Sequence, residues 1–389
     1  DIAIWIKHIF CPGSILTGML KACRYRMYPN KEQRELFFKH FGGACRFVYN
    51  WALENKLKSY ESDGKSISRF SLNKMLPELK DEHVWLKDVY SQSLQGATLN
   101  LENAFTHFFR EKKGFPKFKS RKNPIQSFSV PQHYVVDFDT YKVKLPKIGW
   151  IKTRLHRRYE GAEKSATVSR TPTGQFYISI LVDDGLDYPE KQPFDEKTTV
   201  GIDVGIKDFA VLSSGKKINN PRHLNSSLLR MKVLQRRLSR KQRGSNNREK
   251  SKLSVAKLHE KISNQRNDFQ HKISFRLICE NQAIALETLN VAGMLKNHRL
   301  AQHIADASWS SFVTKLEYKA QRQGKTILRI GRFEPSTRIC SVCGHYNGGL
   351  TLADRDWVCP DCGSNHDRDI NAAINIKKFA LDRQNLIGV

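Results

Sequence analysis

The sequence predicts a multidomain α/β protein, and three observations carry that prediction. The chain of 389 residues exceeds the usual size of one hydrophobic core. A series of short strand patterns over residues 127–183 gives way, after a linker with Pro189 and Pro193, to strands mixed with long helical patterns. Two Cys-x-x-Cys pairs near the end of the chain mark a further small unit.

Residues 22–28 alternate as a strand, and Pro29-Asn30 ends it and supplies a helix N-cap, with Gln33 three residues on. Phe37, Phe38 and Phe41 precede a break predicted at Gly42-Gly43, after which Phe47, Val48, Trp51 and Ala52 stripe the next helix. Ser91 is expected to cap a helix whose core face is Leu94, Thr98, Leu101, Phe105 and Phe108. Strands are expected over residues 134–145, 150–155, 166–169 and 175–182, with a hairpin turn at Thr171-Pro172-Thr173-Gly174 and a small barrel or sandwich as the outcome. Beyond the linker, residues 199–212 read as two strands, 224–238 and 253–277 as long helices, 283–287 and 326–330 as strands, and 309–321 as a helix. No apolar run reaches the roughly 20 residues of a membrane span, and residues 1–18 read poorly as a signal peptide. Residues 1–21 are therefore set aside as extraneous or upstream.

The formal charge of +28 calls for a polyanionic partner, because neutralised phosphates release condensed counterions. Two segments concentrate it. Residues 111–122 interleave Lys117, Lys119 and Arg121 with Phe115 and Phe118, a pattern that suits a nucleic-acid path and equally a basic linker. Residues 239–252 join two helices through Arg240, Lys241 and Arg243, as a phosphate-tracking hairpin would.

Cys340-Ser341-Val342-Cys343 and Cys359-Pro360-Asp361-Cys362 have the spacing of a tetrahedral zinc ribbon, and Gly344 and Gly363 follow each pair where the backbone must turn tightly. Four thiolates leave no open position, so this zinc is structural. The other four cysteines stand in separate contexts, which favours a reducing compartment.

Gly201-Ile202-Asp203-Val204-Gly205 and Ile284-Ala285-Leu286-Glu287 each place an acid at the end of an apolar strand, and Asp369 opens a helix. Singly these are a turn residue, a strand-end charge and an N-cap. Converging, Asp203, Glu287 and Asp369 would hold catalytic Mg²⁺ for in-line phosphodiester hydrolysis. Of the two nearby acids, Asp369 is the expected ligand, because Ala372, Ala373 and Ile376 seat its turn on the sheet, whereas Asp367 positions the loop after the ribbon.

These acids, with Phe333-Glu334-Pro335-Ser336-Thr337-Arg338 leading into the first cysteine pair and His366-Asp367-Arg368-Asp369-Ile370-Asn371-Ala372-Ala373 after the second, resemble the TnpB family of transposon nucleases related to type V CRISPR effectors. Residues 46–50 and 115–120 resemble its N-terminal half, so the resemblance runs over nearly everything from Met19 onward. It implies a small β-barrel (residues 22–30 and 123–190) carrying a helical recognition insertion (31–122). An RNase H-like RuvC core (197–335 and 364–389) follows, interrupted by the zinc ribbon (336–363). It also implies guide RNA and target DNA as partners, a short target-adjacent motif, cleavage by a single Mg²⁺-dependent site and a cytoplasmic, nucleoid-associated setting without membrane contact. Monomer and dimer both stay open. A guided repressor without cleavage and an RNase H-fold recombinase are the alternatives, and the three intact acids weigh against the first.

Overall fold

The computed structural model describes residues 19–120, 126–351 and 353–385, so Arg121 and residues 1–18 lie outside the described part. Within it, residues 19–187 form one compact unit and residues 188–385 another.

The first unit is built on β1 (Leu20–Tyr28), in which Cys23, Tyr25 and Met27 are buried on alternate positions. The strand starts inside the span set aside above, because Leu20 and Lys21 pair with Asp183 and Val182. Asn30 and Gln33 form the expected capping box of α1 (Lys31–Phe38). Gly42-Gly43 does not break the chain. A π-helical segment (Lys39–Cys45) runs through the pair into α2 (Arg46–Asp63), with the Arg46 Nε donating to the Gly42 carbonyl at 2.7 Å. This turn brings Phe37 and Phe41 together against Phe128 and Phe176. Short helices α3 (Arg69–Lys74) and α4 (Leu76–Glu82) lead to α5 (Ser91–Glu111). Ser91 does not cap α5; its hydroxyl accepts from Lys80, and extended Tyr90 is the boundary residue.

Six more strands complete an antiparallel sheet: β2 (Gln126–Val130), β3 (Val135–Asp137), β4 (Lys142–Leu145), β5 (Gly149–Arg154), β6 (Ala162–Arg170) and β7 (Phe176–Asp183). Their order is β2-β6-β7-β1-β5-β4-β3 among the described residues. The single strand expected over 134–145 is a hairpin, because the Asp137 carboxylate accepts from the amides of Asp139 and Thr140 and turns the chain.

The second unit contains β8 (Thr199–Val204), β9 (Asp208–Leu212), β10 (Lys217–Asn219), β11 (Ala283–Glu287) and β12 (Thr326–Ile330) in the order β10-β9-β8-β11-β12. β9 is antiparallel to both β8 and β10, while β11 runs parallel to β8 and β12. The expected helix over 224–238 is interrupted at Ser227, giving α6 (His223–Ser226) and α7 (Leu228–Ser239), and α8 (Asn246–Glu280) is longer than its apolar stripe suggested. α9 (Val291–Met294), α10 (Ala301–Ala307) and α11 (Trp309–Arg322) follow. Alternation splits β11 between two cores: Ile284 and Leu286 pack with Phe312 and Leu316, whereas Ala283 and Ala285 pack with Ile376 and Ala380.

Ile376 and Ala380 belong to α12 (Arg368–Asn385), which lies across β8. The approach is so close that a Cβ on Gly201 would collide with the Ala373 carbonyl oxygen. No described helix is long and apolar enough to cross a membrane. Gly201→Ala is expected to lower unfolding stability by about 2 kcal/mol, as overpacking of a filled interface does; denaturant titration measures the loss.

Candidate active site and metal centre

Parallel pairing sets the first two acids side by side. Ile202 is in register with Leu286, so the next residues, Asp203 and Glu287, leave the same edge of the sheet on adjacent strands. The third comes from α12, whose buried Ala372, Ala373 and Ile376 press its first turn, with Asp369, against the sheet. Burial pushes the Asp203 carboxyl up to about 8, and the charges of Glu287 and Asp369 push the same way against Arg368 and Arg355. Asp203 therefore feels the charge of both other acids.

Asp203 and Asp369 line a cleft of about 430 Å³ together with Lys207, Arg338, Arg355 and Arg368. Arg355 contacts both Asp369 oxygens at 3.0 and 3.2 Å, and Arg368 reaches one at 3.3 Å. Asp367 has a different task. Its Oδ1 accepts from the amides of Asp369 and Ile370 at 3.1 and 3.0 Å, capping α12, and its Oδ2 receives Lys217 at 2.5 Å. Burial opposes its ionisation, but these donors outweigh burial and hold its carboxyl below the usual range.

The four cysteines gather as their spacing predicts. The Sγ atoms of Cys340, Cys343, Cys359 and Cys362 all lie within 4.8 Å of one another, the one such group of His, Cys, Asp or Glu ligand atoms among the described residues. Cys340 and Cys362 are 3.7 Å apart and Cys343 and Cys359 3.6 Å apart. A tetrahedron of ~2.3 Å zinc–sulfur bonds has edges of roughly 3.8 Å, so the donor set fits zinc. Both knuckles fold alike. Gly344 donates to the Cys340 carbonyl and Gly363 to that of Cys359, both at 3.0 Å, with φ of 80° and 72°. The hairpin of β13 (Asp356–Val358) and β14 (Asn365–Asp367) carries the second knuckle. In β14, the His366 ring packs at a tilt on Trp357 and its Nε2 lies 3.0 Å from Cys340 Sγ.

The basic residues separate into groups. Lys117 is exposed beside Phe118, which is also exposed. Lys119 is tied back: its ammonium sits 3.9 Å from the centre of the Tyr49 ring, and its backbone exchanges two hydrogen bonds with Asn50. Arg240, Lys241 and Arg243 are exposed in the turn between α7 and α8. Arg248, in the same cationic segment, instead donates to the Leu238 and Lys241 carbonyls at 2.9 Å and closes the end of α7. Sequence reasoning gave no role to Arg355 or to Ser336, whose hydroxyl donates to Glu287 Oε1 at 2.6 Å. Arg355 carries no motif signal, and Ser336 lies in the Phe333-Glu334-Pro335-Ser336-Thr337-Arg338 run without one of its own.

Residues 179–298 match the family described as "Probable transposase", and residues 309–376 match a "Cas12f1-like, TNB domain". A Streptomyces pristinaespiralis protein named "Putative RNA-guided DNA endonuclease" is 38% identical over 94% of this chain and 91% of its own length. The Escherichia coli (strain K12) "Putative RNA-guided DNA endonuclease InsQ" is 32% identical over 92% and 91%. Among solved structures, the Cas12f1-sgRNA-target DNA complex has a chain of the same fold, at a TM-score of 0.58 and 14% identity over 93% of this chain and 99% of that one.

Two outcomes follow from the geometry. Cys343→Ser should lower zinc per chain, read by elemental analysis, together with the melting temperature. Asp367→Ala should cost about 1 kcal/mol through the lost cap, while Asp367→Asn, which keeps an acceptor, should recover most of it in the same denaturation assay.

Proposed function

We infer, from the premise that this chain belongs to the TnpB family, that it is an RNA-guided DNA endonuclease that cuts through the Asp203, Glu287 and Asp369 site. The observation that carries this reading is that Asp203 and Glu287 leave one sheet edge at the same register step while Asp203 and Asp369 line one cleft with Lys207, Arg338, Arg355 and Arg368. The strand order, with two parallel strands following an antiparallel trio, supports reading the second unit as an RNase H-like RuvC core interrupted by a zinc ribbon at residues 336–363. In the first unit, the seven-stranded sheet supports reading residues 22–30 and 123–190 as the barrel-like element and 31–122 as its helical insertion.

The acid oxygens suit Mg²⁺, and burial first, with the charges of Glu287 and Asp369 adding to it, raises the Asp203 carboxyl in a way that a divalent cation would relieve. When bound there, the cation activates water and stabilises the leaving oxygen of a phosphodiester. The protein's own part is positioning. β8 and β11 fix two carboxylates at one register step, α12 presents the third, and Lys207, Arg338, Arg355 and Arg368 line the cleft with positive charge that draws the scissile phosphate toward them. Guide RNA and target DNA are held elsewhere by phosphate contacts, for which exposed Lys117, Arg240, Lys241 and Arg243 are suited. Lys119, engaged with Tyr49, is a weaker candidate.

Asp203→Ala, Glu287→Ala and Asp369→Ala should each retain guide and target binding in a gel shift and cut neither strand of a supercoiled target plasmid in Mg²⁺. Asp367→Ala should keep measurable cutting. Robust cleavage by Asp203→Ala would overturn the site, and RNA-independent strand joining would point to a recombinase instead. Replacing Arg240, Lys241 and Arg243 with Ala should reduce the slope of log affinity for the guide against log salt by roughly 2, as loss of three phosphate contacts requires; an unchanged slope would remove them from the interface.

A further inference from the structure

Glu287 is the last residue of β11, and a free carboxylate there would have several rotamers open to it. One described hydroxyl restrains it. Ser336, 3% exposed, donates to Oε1 at 2.6 Å from the loop that follows β12. Hydrogen bonds to ionised groups are short and strong, and this one holds one carboxylate oxygen while leaving the second for an ion.

That loop is itself pinned along one stripe of α12. The Asn375 side-chain amide donates to the carbonyls of Ser336 and Ile339 at 2.7 and 2.6 Å. Asn371 donates to the Ile339 carbonyl at 2.7 Å and accepts from the Ser341 amide at 2.8 Å. Lys378 donates to the Ser341 carbonyl at 2.5 Å. Positions 371, 375 and 378 follow the i, i+4, i+7 spacing of one helix face. Asn371 and Asn375 are almost fully buried, so their amides are committed to these bonds. Six residues, from Ser336 to Ser341, thus touch Glu287 at one end and include the zinc ligand Cys340 near the other, along the helix that carries Asp369.

We propose that Ser336 is a positioning residue that fixes Glu287 for the catalytic cation, held in place by the Asn371, Asn375 and Lys378 ladder. The proposal rests on the nuclease reading above, and its test separates the two. Mn²⁺ is titrated into the zinc-loaded full chain and followed by electron paramagnetic resonance, with zinc content and melting temperature recorded for every variant. Asp203→Ala defines the relevant Mn²⁺ class by abolishing it; if no class is lost, the nuclease site itself is misread.

Given that class, Ser336→Ala should weaken it by roughly tenfold, the scale of a lost hydrogen bond to a charged group. Ser336→Thr, which keeps the hydroxyl, should stay within about threefold of the unsubstituted chain. In a Glu287→Gln background, Ser336→Ala should add no further loss. If Ser336→Ala does not fold, Ser336→Cys, of similar volume and with a poor donor, takes its place with the same expectation. Unchanged Mn²⁺ affinity in the hydroxyl-deleted variant overturns the proposal. So does equal weakening in the Thr variant, or a further loss in the Glu287→Gln background.

Discussion

The close contact between α12 and β8 is the constraint on which the placing of Asp203, Glu287 and Asp369 depends. Because Gly201 has no side chain, the Ala373 backbone settles against the strand, and everything else on that helix takes its height from this contact. Asp369 is four residues from Ala373, about one turn, and Asp203 is two residues from Gly201 on the same side of the strand's pleat. A longer residue at either point would lift the helix and separate acids that now feel each other's charge.

Much of this was legible beforehand because it rests on local pattern. Apolar strands ending in acids, the Asp-x-Asn-Ala-Ala helix start and the two cysteine pairs each carry their geometry in their spacing, and the strands at 283–287 and 326–330 were legible to the residue. What escaped depends on partners distant in sequence. Nothing near Ser91 shows that Lys80 occupies its hydroxyl. Gly42-Gly43 signals a break, yet a π-helical turn lets the chain stay helical while two phenylalanines reach a sheet over 80 residues away. Ser336 looks like any loop serine until Glu287 is seen beside it.

Net charge was the least local guide. A count of +28 says that a polyanion is wanted, but it does not say which cations are free to meet one. Several serve the fold instead. Arg248 closes a helix end, Lys119 sits over a tyrosine ring, and Lys315 is buried among Asn267, Gln270 and Ser311, where desolvation pulls its ammonium below the usual range. Others stay exposed, among them Lys117 and the Arg240, Lys241 and Arg243 group at the α7–α8 turn.

The junction between the ribbon and α12 has no spare length, since β14 ends at Asp367 and the helix starts at Arg368. An extra residue there would advance the helix by about 1.5 Å and turn it by about 100°, carrying Asp369 away from the sheet edge. The stretch between the two knuckles is tied to the same site through Arg355, whereas its Gly348-Gly349 turn is exposed. Growth of this small unit is therefore tolerable at that turn and not at its base, and a grafted peptide or reporter belongs at Gly348-Gly349, which already face solvent.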